Sequence, residues 1–148
     1  SVKECIDTLL YMVKNQYESQ NIKIEFESDE VKITNYENEL KQSILNILNN
    51  AKDALLSKKE ENNFDALIQI SLQKIDNSIK IEILNNGGVI KDDVIDRIFE
   101  PYFTTKFEHQ GTGIGLYMTK SIIETNMKGK IEVENIKDGV KFIITLDI

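Results

Sequence analysis

The stretch LIQISLQKIDNSIKIEIL, Leu67 to Leu84, alternates apolar and polar residues on both sides of Asp76-Asn77. Period-two alternation turns every second side chain to one face, and a short Asp/Asn turn brings the chain back beside itself. The stretch therefore reads as a hairpin with one buried face. Working outward, KIEVENI (Lys130 to Ile136) and VKFIITLDI (Val140 to Ile148) repeat the pattern around Asp138-Gly139 as a second hairpin. Upstream, IKIEFES (Ile22 to Ser28) and VKIT (Val31 to Thr34) read as two short strands across a polar turn.

Helical spacing fills the gaps between these strands. Ile6, Leu9, Leu10, Val13 and Tyr17 mark an opening helix, and a long helix is predicted from Asn38, as its cap, to about Lys58. DDVIDRIF (Asp92 to Phe99) reads as a short helix, Pro101 to Gly113 as a flexible stretch, and Ile114 to about Met127 as a further helix. A sheet built largely from hairpins, with helices on one face, predicts an α+β two-layer sandwich.

Composition narrows the function. The 148 residues suit one domain, and 41% hydrophobic with 29% charged residues describes a globular protein. No apolar run approaches the roughly 20 residues of a membrane helix, and no signal peptide is read at the start. A lone Cys5 and a single His109 give no disulfide framework and too few ligands for a zinc site. A net charge of −7 argues against a nucleic-acid surface. An anionic ligand would need local devices: helix N-termini, one or two lysines and a divalent cation.

Two segments suggest such devices. On a helical wheel Glu39, Gln42, Asn46, Asn50 and Asp53 share one face, while Ile44, Leu48, Ala51 and Leu55 occupy the other. Asparagine is a mediocre helix former. Asn46, Asn49 and Asn50 in mid-helix are therefore either a solvated face or amide ligands for Mg²⁺, which completes its shell with water and substrate phosphates. The second segment is GTGIGLYMTK, Gly111 to Lys120, which spends three of the chain's 7 glycines at alternate positions before a helix. Such a turn either connects elements or lets backbone approach a phosphate.

NILNNAKDAL (Asn46 to Leu55), RIFEPYFTTK (Arg97 to Lys106) and GTGIGL (Gly111 to Leu116) follow one another in that order. Together they resemble the N box, F box and second glycine box of sensor histidine kinases, within the gyrase, chaperone, histidine kinase and MutL ATPase superfamily. The resemblance covers nearly the whole chain. It implies one ATP-binding catalytic domain over residues 1–148, with a Bergerat-type mixed five-stranded sheet, three principal helices and no phosphoacceptor segment.

By the same resemblance Asn50 is the Mg²⁺ ligand, and Asn46 is its catalytic neighbour near the phosphates. Phe99, Pro101 and Phe103 form the F box beside an ATP lid, and Lys106 is a second catalytic residue near the phosphates. Gly111, Gly113 and Gly115 form the phosphate-cradling turn. Asp53, Asn85, Gly87, Gly88, Ile90, Thr104, Thr105, Thr112, Ile114 and Leu116 complete the implied nucleotide site. The lid itself is short, Phe107 to Gln110, and His109 within it is read as a surface residue. The first glycine box departs from the family's aspartate-x-glycine-x-glycine: here it is Asn85, Asn86, Gly87, Gly88, Val89. Asn85 still offers a carbonyl acceptor to the adenine amino group but has lost the charge, and Gly88 is expected to take the permissive backbone position that Val89 cannot. Weakened ATP binding and a changed base selectivity both stay open at this position.

In the hydrolytic branches a glutamate stands at the position of Asn46, and an amide cannot act as a general base. The resemblance therefore implies phosphoryl transfer from ATP·Mg²⁺ to a histidine on a separate dimerisation domain, with a response regulator downstream. It also implies a homodimeric full-length protein and a cytoplasmic domain without membrane contact, whose parent is either free or anchored in the inner membrane. Two alternatives stay open at this point. One is a degenerate nucleotide-binding or docking module, suggested by Asn85 and Val89; the other is a serine kinase of the anti-sigma-factor type.

Overall fold

The computed structural model describes residues 1–32, 37–103 and 114–147. Five strands form one mixed sheet: β1 (Ile22–Ser28), β2 (Ala66–Ile75), β3 (Ser78–Asn85), β4 (Lys130–Ile136) and β5 (Gly139–Asp147), in the order β1-β2-β3-β5-β4. β1 runs parallel to β2, and every other pair is antiparallel. Both hairpins form where the alternation predicts them. Each turns through a residue with positive φ, Asp76 (52°) and Asp138 (61°), a conformation that Asp tolerates better than most residues.

The alternation becomes burial in register. Leu72, Ile81, Ile144 and Ile131 are paired neighbours across four strands, and all are buried. Ile70, Ile83 and Phe142 form the next buried row. Each such side chain contributes about 1.5–3 kcal/mol by leaving water. Between the two rows stand Ser71, Glu82 and Glu132 with the half-buried Ile143, and Glu82 on β3 meets Lys80 and Lys141, each at 3.3 Å, on the open face of the sheet.

Helices cover the buried face. α1 (Val2–Ser19) starts under its cap Ser1, whose hydroxyl accepts the Glu4 N–H at 3.0 Å. α2 (Glu37–Glu61) buries the wheel's apolar face, Ile44, Leu48, Ala51 and Leu55, together with Leu40 and Ile47. It begins at Glu37, so Asn38 lies in its first turn and is not the cap. α3 (Asp92–Ile95) is half the expected length and continues as turns. The next helix opens as α4 (Gly115–Lys120) and then widens into a π-helical segment, Ser121–Asn126. The VKIT stretch has no strand at Val31 and Lys32, while Ile33 and Thr34 lie outside the described residues. Val31 is buried, but its carbonyl accepts from Val2 N–H at 2.8 Å and joins no ladder. No helix among the described residues is long and apolar enough to cross a membrane.

Candidate functional site

Asn46, Asn50, Ala54 and Lys58 are spaced by four along α2, so they form one stripe rising about 6 Å per step. The stripe joins two distant parts of the chain. At its first position the Asn46 amide donates to Thr119 Oγ1 at 3.1 Å and to the Gly115 carbonyl at 3.3 Å, holding α4 against α2. Its own carbonyl accepts from Gln42 Nε2 at 2.9 Å. Thr119 is fully buried and donates to the Gly115 carbonyl at 2.9 Å, so the polar clasp is satisfied inside the interface.

At the far end of the stripe sits the loop after β3. A β-carbon on Gly87 would lie 3.0 Å from the Ala54 carbonyl carbon and 3.1 Å from the Ala54 Cβ, so the loop rests directly on the helix. Lys58 Nζ donates to the Asn86 carbonyl at 3.0 Å while lying 4.4 Å from the Phe64 ring centroid. The Asn86 side chain closes the other side, accepting from Leu67 N–H (2.9 Å) and donating to the Asp65 carbonyl (2.8 Å). Gly88 takes φ +95°, as expected for the shifted permissive position, and Val89 beside it is exposed. Gly88 N–H donates to the Asp138 carbonyl at 3.0 Å. Ile90 is bonded at both backbone groups by the Asn135 side chain, each at 2.8 Å.

Asn50 lies between these two anchored ends. It is half-buried, and its side-chain amide has no hydrogen-bond partner among the described residues. Asp53, one turn on, is half-buried and engaged in an interaction of its own. No group of three or more His, Cys, Asp or Glu side chains suited to a metal occurs among the described residues. A single hard amide oxygen suits a divalent cation that keeps water and ligand oxygens in its shell.

Asn85 is buried, and its Oδ1 accepts the Gly87 N–H at 2.9 Å, a contact that uses one of the two lone pairs of the amide oxygen. The F-box residues divide between two tasks. Phe99 packs edge-on against core Phe142 (centroids 6.3 Å, planes 85° apart), while Phe103 carries the Arg97 guanidinium 4.4 Å from its centroid. Pro101 is exposed and the following Tyr102 has φ 62°. Ile114 and Leu116 are half-buried at the start of α4, with Leu116 packed on the core. Thr104, Thr105, Lys106, Gly111, Thr112 and Gly113 lie outside the described residues, as does the span 107–110.

Sequence reading missed the supports: Ala54, Lys58, Thr119, Asn86 and Asn135. For the first two the signal was the i, i+4 stripe itself. A cavity of about 710 Å³ lies elsewhere, between α1 and β1 and lined in part by Leu10, Lys14, Tyr17 and Ile22; it shares no residue with the stripe.

Comparison with known proteins bears out the fold. Residues 35–148 match the family described as histidine kinase-, DNA gyrase B- and HSP90-like ATPase. Two-component sensor PprA of Pseudomonas aeruginosa is 35% identical over 114 residues, covering 74% of this chain and 12% of PprA. Sporulation kinase A of Bacillus subtilis is 32% identical over 114 residues, 77% of this chain and 17% of that protein. The chain thus spans less than a fifth of either relative. Among solved structures, the nucleotide-free catalytic domain of histidine kinase ThkA superposes with a TM-score of 0.85 at 29% identity, over 98% of this chain and 91% of that one. Fold, ordered motifs and the stripe that joins them lead to one assignment: the chain belongs to the histidine kinase-, DNA gyrase B- and HSP90-like ATPase family, as a domain of the sensor histidine kinase type.

Proposed function

We propose that this domain binds ATP with Mg²⁺ along the α2 stripe and donates the γ-phosphoryl group to a histidine on a dimerisation domain of a two-component sensor. The observation that carries the reading is the stripe: Asn46 fastens α4, Ala54 and Lys58 fasten the glycine loop, and the Asn50 amide between them has no partner among the described residues. Asn50 would take one position on the ion. The ion's contribution is charge neutralisation at the phosphates.

The chain's own residues position the ligand. Asn46 acts through α4, since its amide groups are spent on Gln42, Gly115 and Thr119. Lys106 and the glycines at 111 and 113 are proposed as the phosphate contacts of the segment between Phe103 and Ile114. With an amide at position 46, activation of water by that residue is unavailable. Transfer would rest on alignment and electrostatics. A downstream response regulator is proposed as well, supported by the solved complex of ThkA with response regulator TrrA, which matches 99% of this chain at 26% identity and a TM-score of 0.81. A cytoplasmic site and a homodimeric parent belong to the same proposal.

The test is phosphoryl transfer in trans. Incubated with γ-labelled ATP, the domain should remain unlabelled and hydrolyse little, while the dimerisation domain of its own parent becomes labelled on histidine. Brisk hydrolysis that disappears on substituting Asn46 would contradict the kinase reading.

A further inference from the structure

The sheet ends in two edge strands, β1 and β4, and they differ. On β4 the outward Ile131 N–H donates to the Glu124 carboxylate at 3.2 Å, so a side chain already occupies that edge. On β1 the ladder decides which groups face outward. Asp29 N–H donates to the Leu72 carbonyl at 2.9 Å, and Leu67 N–H turns away from β1 to the Asn86 side chain. Along a strand the backbone groups of successive residues point to opposite sides, so Lys23, Glu25 and Glu27 are the residues of β1 that bond β2. Ile22, Ile24 and Phe26 therefore point their N–H and C=O groups away from the sheet. Among the described residues none of these groups meets a partner. Such an edge is a template for a further strand.

The side chains of β1 select the strand that fits. Two copies of one edge strand paired antiparallel share a two-fold axis, and its position sets every opposing pair. An axis at Lys23 or at Glu25 sets that residue against its own charge, and an axis at Phe26 sets Glu25 against Glu27. An axis nearer either end leaves half the strand unpaired. An axis at Ile24 sets Lys23 against Glu25 of the second copy and Ile22 against Phe26 of the second copy. The outward backbone groups then form the hydrogen-bonded pairs, at Ile22, Ile24 and Phe26. Lys23 and Glu25 form the non-hydrogen-bonded pair, in which side chains approach most closely. Within one copy Lys23 Nζ already lies 3.2 Å from Glu25 Oε1, so four charges would alternate in sign across the junction.

We propose that two copies of this domain pair through β1, antiparallel about a two-fold axis at Ile24, into one continuous sheet. An axis normal to the sheet keeps both α1 helices on one face. The second copy's α1 thereby comes over the α1–β1 groove, where Tyr11 is 82% exposed beside Leu10, Lys23 and Ile24. The pairing is independent of nucleotide binding and uses no residue of the α2 stripe.

Sedimentation equilibrium on the whole chain, up to about 1 mM, tests the pairing, with charge reversal to locate it. The wild type should form a reversible dimer. Lys23→Glu and Glu25→Lys should each weaken it about tenfold or more, because each sets like charges opposite one another. Mixed in equal amounts, the two variants should dimerise again, since every opposing pair is then complementary. Hydrogen exchange at the Ile24 and Phe26 N–H groups should slow as the wild-type concentration rises, while exchange at Ile131 N–H stays the same. A wild type that remains monomeric at the highest concentration overturns the proposal. So does a dimer that both single variants keep at full strength, or two weakened variants that fail to recover it when mixed.

Discussion

Asn46 and Asn50 are the same residue one helical turn apart, and their surroundings give them different work. The first is consumed by hydrogen bonds to α2 and α4, and the second has none among the described residues. Sequence alone put both on one polar face of a helix and could go no further, because a wheel contains no partner element. Tyr17 was legible only as a core position. It is buried, its hydroxyl has no hydrogen-bond partner among the described residues, and Lys52 Nζ lies 5.8 Å from its ring centroid. Burial first, and the Asp53 carboxylate second, push its hydroxyl from 10.0 up to about 12. The unfolded chain therefore loses this proton first as pH rises, and unfolding is favoured progressively between pH 10 and about 12. The stability lost across that window is about 2–3 kcal/mol at roughly 1.4 kcal/mol per pH unit. Tyr17→Phe should abolish this alkaline loss and should cost little at neutral pH, where it removes an unpaired buried hydroxyl. Denaturant melts at neutral pH and near pH 11 provide the check, and an undiminished alkaline loss in the variant would refute the assignment.

At the scale of elements, the glycine loop depends on the hairpin at the other end of the sequence. Gly139 opens β5 directly beneath the end of β3, where a β-carbon would overlap the Asn85 carbonyl oxygen and lie 3.1 Å from the Asn86 Cα. Both contacts are backbone and cannot swing aside. Gly139→Ala should cost about 1–3 kcal/mol. It should also loosen the loop, visible as faster hydrogen exchange at Gly88 N–H, which donates to Asp138. A native melting temperature with unchanged exchange would show that the loop is anchored elsewhere. The hairpin that contains Gly139 was readable from alternation and Asp138-Gly139, but the need for glycine was not, since it arises from a pairing with a strand more than fifty positions away. The helix after Gly115 was likewise legible as a helix. Its passage into π geometry at Ser121 was not, because apolar spacing does not distinguish bonding to the fourth residue from bonding to the fifth.

At the scale of the molecule, the hairpins were legible because each is a local pattern closed by a local turn. The sheet order was not. β5 inserts between β3 and β4, and β1 joins β2 in parallel across the whole of α2, pairings that no neighbouring residues encode. The site shares this character: three motifs readable one by one acquire meaning because α2 crosses from α4 to the glycine loop. Calorimetric titration of ATP with and without Mg²⁺, on the wild type and on Asn50→Ala, tests that convergence most directly. Wild-type affinity should rise with Mg²⁺, and Asn50→Ala, with native circular dichroism, should bind ATP weakly and without regard to the ion. A folded Asn50→Ala protein that keeps the full Mg²⁺ dependence would contradict the account.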